Sequence, residues 1–156
     1  MFAFMHLLIR AGAESIGGYD AVTKPGTDEG ALTVTEKLIT EPGADHPITI
    51  ESHAGRVVVS AHGRVIADTG DAALLREAGY PPVAYIPLSD VDTSLLEATD
   101  HTSYCPYKGD CSYYSIVVGD ETRENAVWEY RAPYAAVAQI KDRVAFYPNK
   151  VEIAVK

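Results

Sequence analysis

The sequence predicts a mainly β, antiparallel domain, and three observations lead there. From His46 onward, apolar and polar residues alternate with a period of two in short runs. Turn-forming pairs such as His62-Gly63, Gly119-Asp120 and Pro148-Asn149 separate neighbouring runs. Helical composition is confined to one or two short stretches, so layers of short strands are the simplest architecture. The chain has 156 residues, 47% of them hydrophobic and 22% charged. That is ordinary globular composition for one domain, large enough to stand without metal or disulfide staples.

Taken in order, Ile48–Ile50 and Arg56–Ala61 read as strands, and His62-Gly63 turns the chain into Arg64–Asp68, forming a β-hairpin. Thr69-Gly-Asp71 then offers a cap and an acidic first turn for a short helix over Ala72–Ala78, stopped by Gly79 before Pro81-Pro82. Val83–Ile86 is a strand ended by Pro87, and Val91–Glu97 follows the Ser89 and Asp90 cap signals as a helical turn. The run Ala98–Cys111 reads as irregular. Strands resume at Ser112–Val118, Arg123–Tyr130, Arg143–Tyr147 and Val151–Val155, with helical composition at Ala135–Ile140.

Residues 1–45 read as a partly ordered N-terminal arm ahead of a single β domain over 46–156. The apolar start, Met1 to Arg10, is far short of the roughly 20 residues a spanning helix needs. No basic residue precedes it, and His6 interrupts it, which argues against a signal peptide. Gly12 to Asp45 is broken by Pro25-Gly26 and Pro42-Gly43, with weak alternation over Ala31–Ile39 for an edge strand or a short helix. Thirteen Lys and Arg against 22 Asp and Glu give a net charge of −9. An acidic chain without a basic cluster is a poor match for nucleic acid or an anionic membrane surface. Two cysteines are too few for a secreted disulfide scaffold, so a cytoplasmic location is expected.

The stretch from Asp100 to Tyr114 packs four tyrosines, a lysine, a histidine and both cysteines together. Around it the sequence resembles the family of domain of unknown function 427, also labelled NTP-transferase-like. The resemblance rests on Asp68, Leu75-Arg-Glu-Ala-Gly-Tyr-Pro-Pro82, Tyr85-Ile-Pro87, Asp100-His-Thr102, Cys105-Pro-Tyr-Lys-Gly109, Asn125-Ala-Val-Trp128, Tyr130 and Val144-Ala-Phe-Tyr-Pro148. These run in order over roughly His46 to Ile153. The resemblance implies a compact antiparallel β domain of β-tent or Mss4-like topology. Some members of that group hold zinc through paired Cys-x-x-Cys knuckles; here Cys105 and Cys111 are five residues apart with no second pair, so no metal is expected. No Gly-rich phosphate loop or paired-aspartate motif supports nucleotidyl transfer, and no cofactor is expected.

Lys108 is the leading chemical candidate. Ahead of Gly109, its ammonium can be offered to a pocket, to bind an anion or to act as an amine nucleophile if desolvated. A lysine lying over tyrosine faces is the bland alternative. Cys105 with His101 four residues upstream suggests a thiolate–imidazole pair, set against an inert buried thiol. A Cys105–Cys111 bridge would contribute about 2.4 kcal/mol in the loop-entropy model. Tyr85, Tyr104, Tyr107, Tyr113, Tyr114 and Trp128 supply rings for an aromatic pocket, although Tyr113 and Tyr114 must face opposite ways. Arg76 is positioned to reach that pocket or to pair locally, and Asn125, if buried, needs partners such as the Cys105–Gly109 loop. His46, His53 and His62 read as surface histidines. The expected function is binding or modification of a small, anionic-capable molecule beneath the Cys-Pro-Tyr-Lys-Gly loop. The alternative is a non-catalytic module that docks a protein partner.

Overall fold

A computed structural model describes residues 36–156. The apolar start at Met1–Arg10 and most of the expected arm, including the alternation over Ala31–Ile39 up to residue 35, lie outside the described residues. Ten strands follow: β1 (Ile48–Ser52), β2 (Val57–Ala61), β3 (Arg64–Thr69), β4 (Ala73–Glu77), β5 (Val83–Pro87), β6 (Leu96–Cys105), β7 (Gly109–Val118), β8 (Glu121–Glu129), β9 (Arg143–Phe146) and β10 (Glu152–Val155). Short 3-10 segments cover Leu88–Asp90, Thr93–Leu95 and Ala135–Ile140. The fold is mainly β, as the alternation predicts.

Seven strands form one antiparallel sheet in the order β1-β4-β5-β9-β8-β7-β6, and β10-β2-β3 form a second. The β2–β3 hairpin turns through His62 and Gly63, both at positive φ (50° and 72°), the geometry that matches the twist of the flanking strands. One face of the large sheet carries Ile86, Ile116, Val127, Val144 and Phe146, which pack with Val57, Val59 and Ile66 of the small sheet as the main apolar core. Burying each such side chain contributes roughly 1.5–3 kcal/mol.

Two expectations need correction. The segment expected as a helix at Ala72–Ala78 is strand β4, paired on both sides: Ile50 with Leu75 of β4, and Ala73 with Tyr85 of β5. Ala, Leu, Arg and Glu are good helix formers, but ladder pairing with two neighbours overrides that weak intrinsic preference. The segment expected as irregular at Ala98–Cys111 is the long hairpin of β6 and β7, with Cys105 opposite Gly109. The β6 register shifts between Ala98 and Thr102, and a second shift in the β7–β8 ladder falls between Tyr114 and Ile116. Asn125 joins the two irregularities. It sits at φ 47°, its amide N–H donates to Ser115 Oγ at 3.1 Å, and its Oδ1 accepts from Thr99 Oγ1 at 2.7 Å.

Candidate functional site

The other face of the large sheet has a different chemistry. Alternation along β4 turns Ala73, Leu75 and Glu77 inward while Arg76 faces solvent. Cross-strand register places Tyr85 beside Ala73, Trp128 beside Ala145, and Tyr113 beside Trp128, with Cys111 two residues from Tyr113 on the same face. The Trp128 indole N–H donates to Tyr85 Oη at 3.3 Å, with the two rings edge to face. Tyr147 packs on Trp128 at 4.5 Å between ring centroids, and Tyr113 shares a hydrogen bond with Ser103 at 2.7 Å.

Into this face the three-residue turn between β6 and β7 inserts Lys108. Its backbone N–H donates to the Cys105 carbonyl at 3.2 Å, and its carbonyl accepts from Tyr134 N–H at 3.1 Å. Gly109 is at φ 111°, and a Cβ there would meet the Ala132 carbonyl at 3.3 Å, so the turn closes tightly under the segment leading to Ala135–Ile140. The result is a lysine only 2% exposed. Its ammonium is ion-paired to the carboxylate of Glu77, itself 7% exposed. Glu77 also bonds to His46, Nε2 to Oε1 at 2.8 Å. A tight turn holds His46 there, with reciprocal backbone bonds to Gly43, while Ala78 N–H reaches the Pro47 carbonyl at 2.8 Å. The imidazole stacks on Tyr107, with centroids 4.1 Å apart and planes 9° from parallel.

Electrostatics follow from that packing. Burial alone would push the Glu77 carboxyl up, but the Lys108 ammonium and the His46 hydrogen bond outweigh it and hold the acid below its ordinary value. Burial pushes the Cys111 thiol up to about 11 and raises the Tyr85, Tyr113 and Tyr130 hydroxyls. These groups are therefore neutral at physiological pH. The face holds one buried cation, one buried anion, a set of neutral hydroxyls and the neutral Cys111 thiol.

Of the residues singled out from the sequence, Lys108, Tyr85 and Trp128 share this face, and Tyr107 caps it through its stack on His46. Cys105 is half-buried at the start of the turn, and both cysteines are free thiols. His101 lies in the β6 irregularity, its ring against Tyr113 at 4.4 Å. Four residues along a strand span about 13 Å, so His101 and Cys105 stand well apart along β6. Arg76 points to the opposite side of β4 and bonds Glu51 at 3.0 Å. Asn125 serves the bulge, not the Cys105–Gly109 loop. Tyr114 faces the apolar side, where its hydroxyl donates to buried Glu129 and accepts from Arg131 at 3.0 Å. The sequence reading missed Glu77 and His46. Had Ala73–Glu77 been read as a strand, its period of two would have marked Glu77 as a buried carboxylate in need of a cation.

Among the described residues no helix is long and apolar enough to cross a membrane. Nor does any group of three or more His, Cys, Asp or Glu side chains there converge as metal ligands would. No curated protein matches the chain. A family model does, over residues 49–156, which includes every strand from β2 to β10 and the whole Glu77–Lys108 face. On that match the chain belongs to the family described as domain of unknown function 427.

Proposed function

We propose that the aromatic face of the large sheet binds a small, anionic-capable molecule, with Lys108 as its polar contact and Tyr85, Tyr107 and Trp128 as its walls. The observation that carries this reading is the Glu77–Lys108 pair, desolvated among tyrosines. A buried ion pair gives little or no stability over well-packed apolar side chains of the same volume. The main apolar cluster lies on the other face. An ammonium has three donors, so one held by a single carboxylate keeps capacity for a second oxygen. Rings around a few convergent polar groups are the usual make-up of a small-molecule site. As a binding step this needs no covalent chemistry; as an enzyme the site would use Lys108 and Glu77 as acid and base.

Benzoate, a single ring bearing one carboxylate, is a suitable probe. It is expected to raise the thermal midpoint of the wild-type protein and to leave that of Lys108→Met unchanged. The double variant Lys108→Met/Glu77→Gln removes both charges at nearly constant shape, which guards against a fold defect being read as a binding defect. Equal stabilisation of wild type and double variant by benzoate, or none in either, would reject the reading.

A second reading, a protein-docking module, draws on the small sheet. There Val65 on β3 and Val155 on the edge strand β10 are exposed, and an edge strand offers unpaired backbone groups to a partner. A complex that forms equally well with the double variant would favour it.

A further inference from the structure

We propose that His46 sets which ligand charge the site accepts, by competing with Lys108 for the single carboxylate of Glu77. The inference rests on the small-molecule reading for its ligand, and on geometry for its mechanism. Glu77 stands between two nitrogen bases of different kinds, bonded to His46 Nε2 at 2.8 Å on one side and to the Lys108 ammonium on the other. Exposure falls along the series, with the His46 side chain 18% exposed and that of Lys108 3%. His46 is therefore the base of the cluster nearer to solvent.

With His46 neutral, its ring N–H is a weak neutral donor, Glu77 and Lys108 neutralise each other, and the cluster carries no net charge. With His46 protonated, one carboxylate serves two cations and the cluster carries +1. Lys108 is then held less tightly, and the site gains an uncompensated positive charge in a low-dielectric setting, where charge is felt most strongly. An anionic ligand is favoured in that state and a neutral polar ligand in the other. Histidine is the side chain whose ordinary titration falls in the physiological range, which makes it suited to this task.

The groups facing His46 are few. Glu77 approaches from β4, Tyr107 covers the ring face, and Lys108 lies behind Glu77. Within its own segment Asp45 and Glu41 are exposed to solvent. Stacking on Tyr107 fixes the ring so that Nε2 keeps facing Glu77 in both protonation states.

The test is a titration of the His46 ring followed by NMR in the ligand-free protein. Removing the competitor with Lys108→Met is expected to move the His46 midpoint upward by about one pH unit, because Glu77 then serves His46 alone. Glu77→Gln keeps Lys108 and moves the midpoint downward, which supplies a readout if Lys108→Met folds poorly. An unmoved midpoint in both variants overturns the coupling. For ligand selectivity, benzoate stabilisation is compared at about pH 5.5 and about pH 8. It is expected to be several-fold larger at the lower pH in wild type and independent of pH in His46→Phe, which retains a ring to stack on Tyr107. Equal pH dependence in His46→Phe overturns the selectivity role. Loss of all benzoate stabilisation with the NMR shifts intact rejects the small-molecule reading and leaves the coupling standing, so the two failures are distinguishable.

Discussion

The two faces of the seven-stranded sheet share the same strands and the same ladder, yet they are built from different chemistry. On one face Val127, Val144 and Phe146 meet the β2–β3 hairpin in an apolar core. On the other, one residue away along the same strands, Trp128 and Ala145 lie with Tyr85, Tyr113 and Cys111, and an ammonium and a carboxylate are sealed beneath a tight turn. A period-two backbone allows this division, because a substitution on one face leaves the pleat and register of the other intact. Both faces are buried, one by aliphatic side chains and the other by aromatic rings and a charged pair. The polar face carries the buried ionisable and hydrogen-bonding groups on which the proposed binding site rests.

Breaking the ion pair gives the largest expected effect. Glu77→Ala leaves the Lys108 ammonium buried without its partner and is expected to cost about 3–5 kcal/mol in urea unfolding. The double variant Glu77→Gln/Lys108→Met should recover most of that loss. On the apolar face, Ile116→Ala is expected to cost about 2–5 kcal/mol through its cavity, with no second change that restores it by removing a charge. If the double variant is no more stable than Glu77→Ala, the pair is not the isolated electrostatic unit described above.

The same pair sets an acid limb. The Glu77 carboxyl titrates below its ordinary value of 4.5 in the folded protein, so on acidification the unfolded chain takes up the proton first. The stability Glu77 contributes is thus fully present above 4.5 and is lost as the pH falls through its depressed folded value. Unfolding free energy measured between neutral and acid pH should fall less steeply in the double variant than in wild type. Parallel curves would place the acid sensitivity elsewhere.

Turn glycines sharpen the contrast at a smaller scale. Gly109→Ala forces a side chain onto φ 111° and against the Ala132 carbonyl, and is expected to cost about 1–3 kcal/mol and to weaken benzoate binding with it. Gly63→Ala, in the hairpin of the small sheet, also sits at positive φ but meets nothing within 4 Å. It should be milder and leave benzoate binding unchanged. Calorimetric melts of both variants with and without benzoate would decide.

Much of the fold is legible in the alternation, and the reasons for the rest are specific. The β2–β3 hairpin declares itself through Val57, Val59 and Ala61 alternating into a His-Gly turn. Ala73–Glu77 conceals itself because Ala, Leu, Arg and Glu carry helix propensity and Thr69-Gly-Asp71 resembles a cap. Its strand state is set by β1 and β5, whose paired residues lie 21 to 29 positions before and 8 to 12 after in the chain, beyond the reach of local preference. That misreading also hid the site. Lys108 stands out by composition, whereas its partner Glu77 falls on the expected short helix over Ala72–Ala78, and His46 has no motif to mark it.

Arg76 is the smallest and cleanest test of the division. It neighbours Glu77 in sequence but faces the opposite way, and its pair with Glu51 is more than half exposed on both sides. Exposed pairs of this kind contribute little, so Arg76→Gln should change stability by no more than about 0.5 kcal/mol. It should also leave the benzoate response and the His46 titration where they are in wild type. If instead Arg76→Gln removes the benzoate response, the ligand must reach around the β1–β4 ladder to the solvent side. The polar face would then be only one wall of the site, and the strand that separates Arg76 from Glu77 would be its floor instead of its boundary.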